Sequence, residues 1–161
     1  MSKRICIFPG SFDPVTLGHL DLIRRALGQY DLVVAAVGVN PQKTGAFPVE
    51  ERLVLLREAL AGMERVEVAA YEGLTVDFAR SRGACAMVRG VRTSADLEAE
   101  LTLAALNRHL APDLETVLLP ARPEYLCVSS SAVRELAAHG ASLAGFVPES
   151  LIPLVLAHYH P

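Results

Sequence analysis

The feature that most restricts what this chain can fold into is an alternation. Four short, mostly apolar runs, at residues 5–8, 32–37, 85–88 and 116–119, and an alternating one at 65–70 are separated by segments whose apolar residues recur at helical spacing. A run of four to six residues bounded by turn signals has the length of a strand, and spacing by threes and fours has the period of a helix. Leu17, Leu20, Ile23, Ala26 and Leu27 mark the first helix. Pro48, Glu50 and Glu51 open a second, to about Ala61, with its acids at the positive end of the helix dipole. Val76, Phe78 and Ala79 form a third, ended near Gly83. Thr93-Ser94-Ala95-Asp96 resembles a capping box and opens a long fourth helix, which carries Leu97, Leu101, Ala104 and Leu106 and is closed by Pro112. Ser129, Ser130 and Ser131 precede a fifth through Val133 and Leu136, stopped by Gly140, and a last helix fits residues 148–158. Strands that are apolar on both faces need cover on both faces. The fold class expected is therefore α/β, a doubly wound parallel sheet with helices on either side.

In an open parallel sheet, ligands collect outside the carboxyl ends of the strands, near the point where strand order reverses. The loops after the five runs are therefore the places to search for chemistry. In the first, Pro9 and Gly10 are expected to stop the strand, Ser11 brings a hydroxyl, and Thr16 stands where a helix N-cap belongs. Helix N–H groups and the positive dipole end then face the sheet edge, an arrangement that binds phosphate. His19 falls in the first turn, where its imidazole can point back over the same pocket. Gly10-Ser11-Phe12-Asp13-Pro14 followed by Thr16-Leu17-Gly18-His19 resembles the signature of the nucleotidyltransferase superfamily.

The loop after the second run, residues 38–45, approaches the P-loop pattern. It has Gln42 where the second glycine is required and no helix directly behind it, so a Walker A site is excluded. Two readings of Lys43 stay open: a mobile loop that delivers it to a phosphate, or an ordinary solvated lysine. After the fourth run, Arg89 and Arg92 flank Gly90 and Val91 ahead of a helix start. Cations are unfavourable at that end of a helix, so an anionic ligand explains the pair better than surface decoration does. In Ser129-Ser130-Ser131 one residue caps, and the others keep hydroxyl and N–H groups for a phosphate tail. The loop after the third run, residues 71–75, has no cation and suits the non-phosphate part of a second substrate.

Composition narrows the function classes. A chain of 161 residues, 52% hydrophobic and 20% charged, is expected to form one domain over 1–161 with a sizeable core. A net charge of -3 argues against general nucleic-acid binding, so cations that serve an anionic ligand must be gathered locally. No apolar run reaches membrane-span length and no charged-then-apolar leader opens the chain, so a cytoplasmic protein without membrane attachment is expected. Cys6, Cys85 and Cys127 are odd in number and lack CxxC spacing. Neither a disulfide framework nor a zinc site is expected, and all three read as buried small hydrophobes. No pair of histidines has a metal-ligand setting, and His158 and His160 fall in the tail.

Taken together, these segments resemble the bacterial phosphopantetheine adenylyltransferases nearly end to end. The resemblance is carried by residues 9–14, Thr16-Leu17-Gly18-His19, Glu50-Glu51-Arg52, Arg89-Gly90-Val91-Arg92, Asp96, Glu100, Asn107-Arg108-His109-Leu110 and Ser129-Ser130-Ser131. It implies a five-stranded Rossmann-like sheet and transfer of AMP from ATP to 4'-phosphopantetheine, giving dephospho-CoA and pyrophosphate in coenzyme A synthesis. It implies that Ser11, Lys43, Thr75 and Arg89 contact phosphopantetheine. By the same resemblance Ser11, Phe12, His19, Gly90, Val91, Arg92, Glu100, Tyr125, Leu126, Cys127, Val128, Ser129, Ser130 and Ser131 contact ATP. It also implies Mg2+ carried in with ATP, coenzyme A as an inhibitor, and a homohexamer built as a dimer of trimers. The chain departs from the usual pattern in having Ser11 for threonine, Ala99 where some members have tyrosine, and Tyr125 where some have tryptophan.

In that reaction the attacking group is a phosphate whose second pKa is about 6, so it is already largely dianionic at neutral pH and needs no general base. The expected chemistry is positioning and charge stabilisation. His19 would donate to the α-phosphate, Lys43 and Arg89 would fix the incoming phosphate, and Arg92 with the serine helix would take the β- and γ-phosphates. Two rivals stay open on the sequence: another adenylyl- or cytidylyltransferase, and a nucleotide-binding module without turnover.

Overall fold

A computed structural model describes residues 3–160. Five strands, β1 (Ile5–Gly10), β2 (Leu32–Val39), β3 (Val66–Glu72), β4 (Ala86–Val91) and β5 (Glu115–Pro120), form one sheet in the order β3-β2-β1-β4-β5, parallel throughout. The helices are α1 (Leu17–Leu27), α2 (Val49–Ala59), α3 (Thr75–Ser81), α4 (Ser94–Leu110), α5 (Ser130–Ala138) and α6 (Ile152–Tyr159). The expected α/β sheet is present.

The twofold period of a strand divides its side chains between two cores. Cys6 and Phe8, Val33, Ala35 and Val37, and Ala86 and Val88 face one way, into a core completed by Leu20 and Ile23 of α1, Leu56 of α2, Val133 of α5 and Val155 of α6. Ile7, Val34 and Met87 face the other way, against Val76 and Ala79 of α3 and Ala111 and Leu114 beyond α4.

Several local expectations are corrected. β1 does not stop at Phe8, because Pro9 and Gly10 stay in register with Ala36 and Val37. The ladder from β1 to β4 ends earlier, at Ile7 and Met87. The Pro9 carbonyl accepts from Arg89 of β4. The ring nitrogen of Pro9 therefore faces the side where the ladder has already ended, and its missing N–H costs no ladder bond. β4 in turn extends through Arg89, Gly90 and Val91, which the sequence places in a loop. The last helix is preceded by a 3-10 turn at Glu149–Leu151. Cys6 is fully buried, and that burial, with Cys85 nearby, pushes its thiol up to about 12. Cys85 and Cys127 are exposed instead, one just before β4 and the other in the turn leading to α5.

α4 forms as expected, but its leucine stripe faces outward. Leu97, Leu101, Leu106 and Leu110 are 40% to 54% exposed, and Asn107 is the helix residue that is buried. Among the described residues, no helix is long and apolar enough to cross a membrane.

Topology places the site. Strand order reverses across β1, and the early end of the β1–β4 ladder leaves a crevice at the carboxyl ends of these two strands.

Candidate active site

The crevice holds two clefts with a common wall of Pro9, Gly10, Ser11 and Arg89. The larger, about 400 Å³, spreads over the start of α1 toward α4 and α5. The smaller, about 230 Å³, lies between Gly38, Tyr71, Thr75, Met87, Leu103 and Asn107.

α1 starts with a reciprocal cap. The Thr16 hydroxyl accepts from the His19 N–H at 3.3 Å, and the Thr16 N–H donates to His19 Nδ1 at 3.0 Å. A ring nitrogen that accepts from a backbone N–H carries a lone pair, so the ring proton sits on Nε2. The imidazole packs near Phe12, with ring centroids 5.0 Å apart, and lines the larger cleft. Burial lowers its pKa to about 4, and the Arg92 and Arg89 charges add to that shift. At neutral pH His19 is therefore an uncharged donor.

Arg89 stands in the common wall. Its Nε and Nη2 grip both oxygens of Glu100, at 2.8 and 2.6 Å, and its Nη1 donates to the Pro9 carbonyl at 2.7 Å. A guanidinium has five N–H groups, so two remain for a ligand. Glu100 lines the larger cleft but spends its oxygens on orienting Arg89. Gly90 is needed for packing, because a Cβ at this position would collide with Leu22 of α1. Arg92 lines the larger cleft at the start of α4. Thr93 caps that helix by accepting from the Asp96 N–H at 3.1 Å, while Asp96 reaches back to the Arg92 N–H at 3.1 Å rather than to Thr93. Arg92 Nε also lies 3.5 Å from Asp96, which offsets part of the cost of a cation at a helix start.

Of the two serines beyond the cap, Ser130 departs from the sequence expectation by spending its O–H within the fold, while Ser131 accepts and keeps its O–H. Ser129 caps α5 by accepting from the Ala132 N–H at 3.1 Å. Ser130 donates to the Pro14 carbonyl at 2.7 Å, and Ser131 accepts from Arg134 at 3.3 Å. The α5 N-terminus still turns its first backbone N–H groups toward the cleft that all three line. Tyr125 and Val128 line the same cleft, whereas Leu126 and Cys127 are exposed and Val91 lies outside the lining. Phe12 is fully buried at φ 45° and lines neither cleft, and its ring belongs to the core behind His19.

Ser11 lines both clefts and Thr75 the smaller one, where the Thr75 hydroxyl pairs with Tyr71 at 2.8 Å. Lys43 is in neither lining. It is exposed on the loop after β2, its N–H donating to the Asn40 carbonyl at 3.0 Å. Sequence reasoning does not single out Arg134, which lines the larger cleft and donates to the Asp13 carbonyl at 2.7 Å. Its signal was the spacing, three residues after Ser131 on the same helix face. Among the described residues, no group of three or more His, Cys, Asp or Glu side chains converges as a metal site.

Residues 7–136 match the family model described as cytidylyltransferase-like. The chain is 52% identical over 148 residues to the phosphopantetheine adenylyltransferase of Symbiobacterium thermophilum, covering 92% of this chain and 90% of that one. It is 47% identical over 146 residues to the protein of the same name from Desulforamulus reducens, covering 91% of each. A crystal structure from Vibrio parahaemolyticus, assigned as a nicotinate-nucleotide adenylyltransferase, superposes with a TM-score of 0.74 at 17% identity, over 99% of this chain and 98% of that one. At that identity the likeness speaks for the fold alone.

Proposed function

The chain belongs to the phosphopantetheine adenylyltransferase family, and on that footing we propose how its two clefts divide the reaction. As a nucleotidyltransferase of coenzyme A biosynthesis it moves AMP from ATP to 4'-phosphopantetheine, releasing pyrophosphate and forming dephospho-CoA. ATP takes the larger cleft, with its phosphates between His19, Arg92 and the α5 N-terminus. Phosphopantetheine takes the smaller one, with its pantetheine arm along Tyr71, Thr75 and Leu103.

What carries this division is the common wall. Ser11 and Arg89 border both clefts, so a phosphate from each side meets at one hydroxyl and one guanidinium. The attacking phosphate is already dianionic and requires orientation rather than deprotonation. His19 Nε2–H donates to the α-phosphate as charge grows there, with Nδ1 held by the Thr16 N–H. Lys43 swings in from its exposed loop to the incoming phosphate. Mg2+ enters as part of the MgATP substrate and neutralises phosphate charge. The reaction is cytoplasmic, where ATP is made available to it. The outward leucine face of α4 supports burial against other copies of the chain in a homohexamer. Dephospho-CoA, which joins AMP to phosphopantetheine, spans both clefts, and coenzyme A competes with phosphopantetheine through the same arm.

The test is pyrophosphate release from MgATP with and without 4'-phosphopantetheine, with the nucleotide product weighed by mass spectrometry. Release that depends on phosphopantetheine and yields dephospho-CoA is expected. Turnover with nicotinamide mononucleotide in its place would overturn the substrate assignment, and ATP binding with no pyrophosphate from any acceptor would overturn the reaction.

A further inference from the structure

Asp13 lines neither cleft, yet both of its carboxylate oxygens are committed. It is 7% exposed, its Oδ2 accepts from the Ala46 N–H and its Oδ1 from the Phe47 N–H, each at 2.8 Å. These two amides close the loop that carries Lys43. The other end of that loop is tied by Asn40, whose carbonyl accepts from the Lys43 N–H at 3.0 Å and whose side chain accepts from the Gln42 N–H at 2.9 Å. The approach to Asp13 is close. A Cβ on Gly45 would lie 3.1 Å from Asp13 Oδ2, 3.1 Å from the Phe47 carbonyl oxygen and 3.4 Å from Arg52 Cζ.

The segment around Asp13 is itself braced. Arg52 of α2 donates to the Ser11 carbonyl at 3.0 Å, Arg134 of α5 to the Asp13 carbonyl at 2.7 Å, and Ser130 to the Pro14 carbonyl at 2.7 Å. The Lys43 loop is thus fastened to the same strip of chain that presents Ser11 to both clefts.

We propose that Asp13 is a positioning residue for the transfer: it holds the Lys43 loop against the Ser11 segment, so that Lys43 acts on the phosphate of the second substrate. Asp13 itself touches no substrate. Lys43 lies three residues before Ala46, a span of at most about 10 Å. The anchor therefore leaves the lysine free to move while confining it to one side of the common wall. Both hydrogen bonds of the carboxylate go to the one loop that bears this lysine, and Oδ2 also lies 3.9 Å from Arg134 Nη1, so the loop is tied through Asp13 to the start of α5 as well. The inference rests on the role given to Lys43 above.

Asp13→Asn keeps the size of the side chain and replaces one accepting oxygen with an amide nitrogen that cannot accept, releasing one loop amide. Loss of a hydrogen bond to a charged group should raise KM for phosphopantetheine by about tenfold or more, and leave KM for ATP within about twofold of the parent. In a Lys43→Ala background the same substitution should add nothing further to KM for phosphopantetheine. Gly45→Ala crowds Asp13 Oδ2 and the Phe47 carbonyl, strains the same two loop bonds without altering the carboxylate, and should raise KM for phosphopantetheine in the same direction. Should Asp13→Asn fail to fold, Gly45→Ala carries the test alone with the same readouts. Equal rises in both KM values, or full additivity with Lys43→Ala, would give Asp13 a purely structural role and overturn the inference. Lys43→Ala with an unchanged phosphopantetheine KM would instead remove Lys43 from the reaction, and the positioning role would fall with it.

Discussion

The two clefts share a wall and are built by opposite means. The larger is built around helix starts: the reciprocal cap of Thr16 and His19, the Thr93 cap beside Arg92, and the Ser129 cap of α5. Each of these lies within a few residues of sequence. Beyond the common wall, the smaller is assembled from Gly38 of β2, Tyr71 of β3, Thr75 of α3, Met87 of β4 and Leu103 and Asn107 of α4, no two of them adjacent in sequence. The difference teaches that binding negative charge can be encoded in short stretches, because orphan N–H groups and dipoles arise wherever a helix begins. A shaped groove needs several elements packed together.

The contrast can be broken at its strongest point first. His19→Ala should lower kcat by roughly 10²–10⁴-fold with a modest change in KM for ATP, as removal of a preorganised donor does. Single-turnover pyrophosphate release measures it, and a near-normal rate would take His19 out of the transition state. The common wall comes next. Arg89→Lys loses the fork that grips Glu100 and serves both sides, so both KM values should rise, by about tenfold or more each. A rise in only one would mean that the wall is not shared. Tyr71→Phe removes one hydroxyl from the smaller cleft and leaves Thr75 without its partner. KM for phosphopantetheine should rise by about two- to tenfold and KM for ATP should hold; an effect on ATP would blur the division between the clefts.

A last effect is on stability. His19 is lowered from an ordinary 6.5 to about 4 by burial, then by Arg92 and Arg89. Between those values the unfolded chain binds a proton that the folded one does not, so stability falls as pH drops through that window. Urea midpoints at pH 7 and pH 4.5 should therefore lie closer together in His19→Gln than in the parent. An unchanged gap would assign the acid sensitivity to other groups.

Legibility followed the same line as the construction of the clefts. Thr16, Thr93 and Ser129 cap the helices that the sequence assigns to them, since capping depends on neighbours two or three residues away. Pro9 misleads, because whether a missing N–H matters depends on where the ladder to β4 ends. The leucines of α4 have the spacing of a packed helix, and spacing alone does not say whether the partner is this chain or another. Ser130 offers a hydroxyl to a ligand on paper, but in the fold it donates to the Pro14 carbonyl, from a loop more than a hundred residues away. Asp13 could not be picked out from sequence, because the amides that it accepts from are 33 and 34 residues away.

By itself the sequence determined the parallel sheet, its five strands and the helix starts that gather phosphate-binding groups along one edge, since periodicity and capping are local properties of the chain. Only the tertiary structure decided that Ser11 and Arg89 stand in both clefts, that His19 presents Nε2–H uncharged, and that the Lys43 loop is fastened at Asp13. Those facts depend on distances between residues far apart along the chain, and such distances exist only after the sheet has closed its two cores.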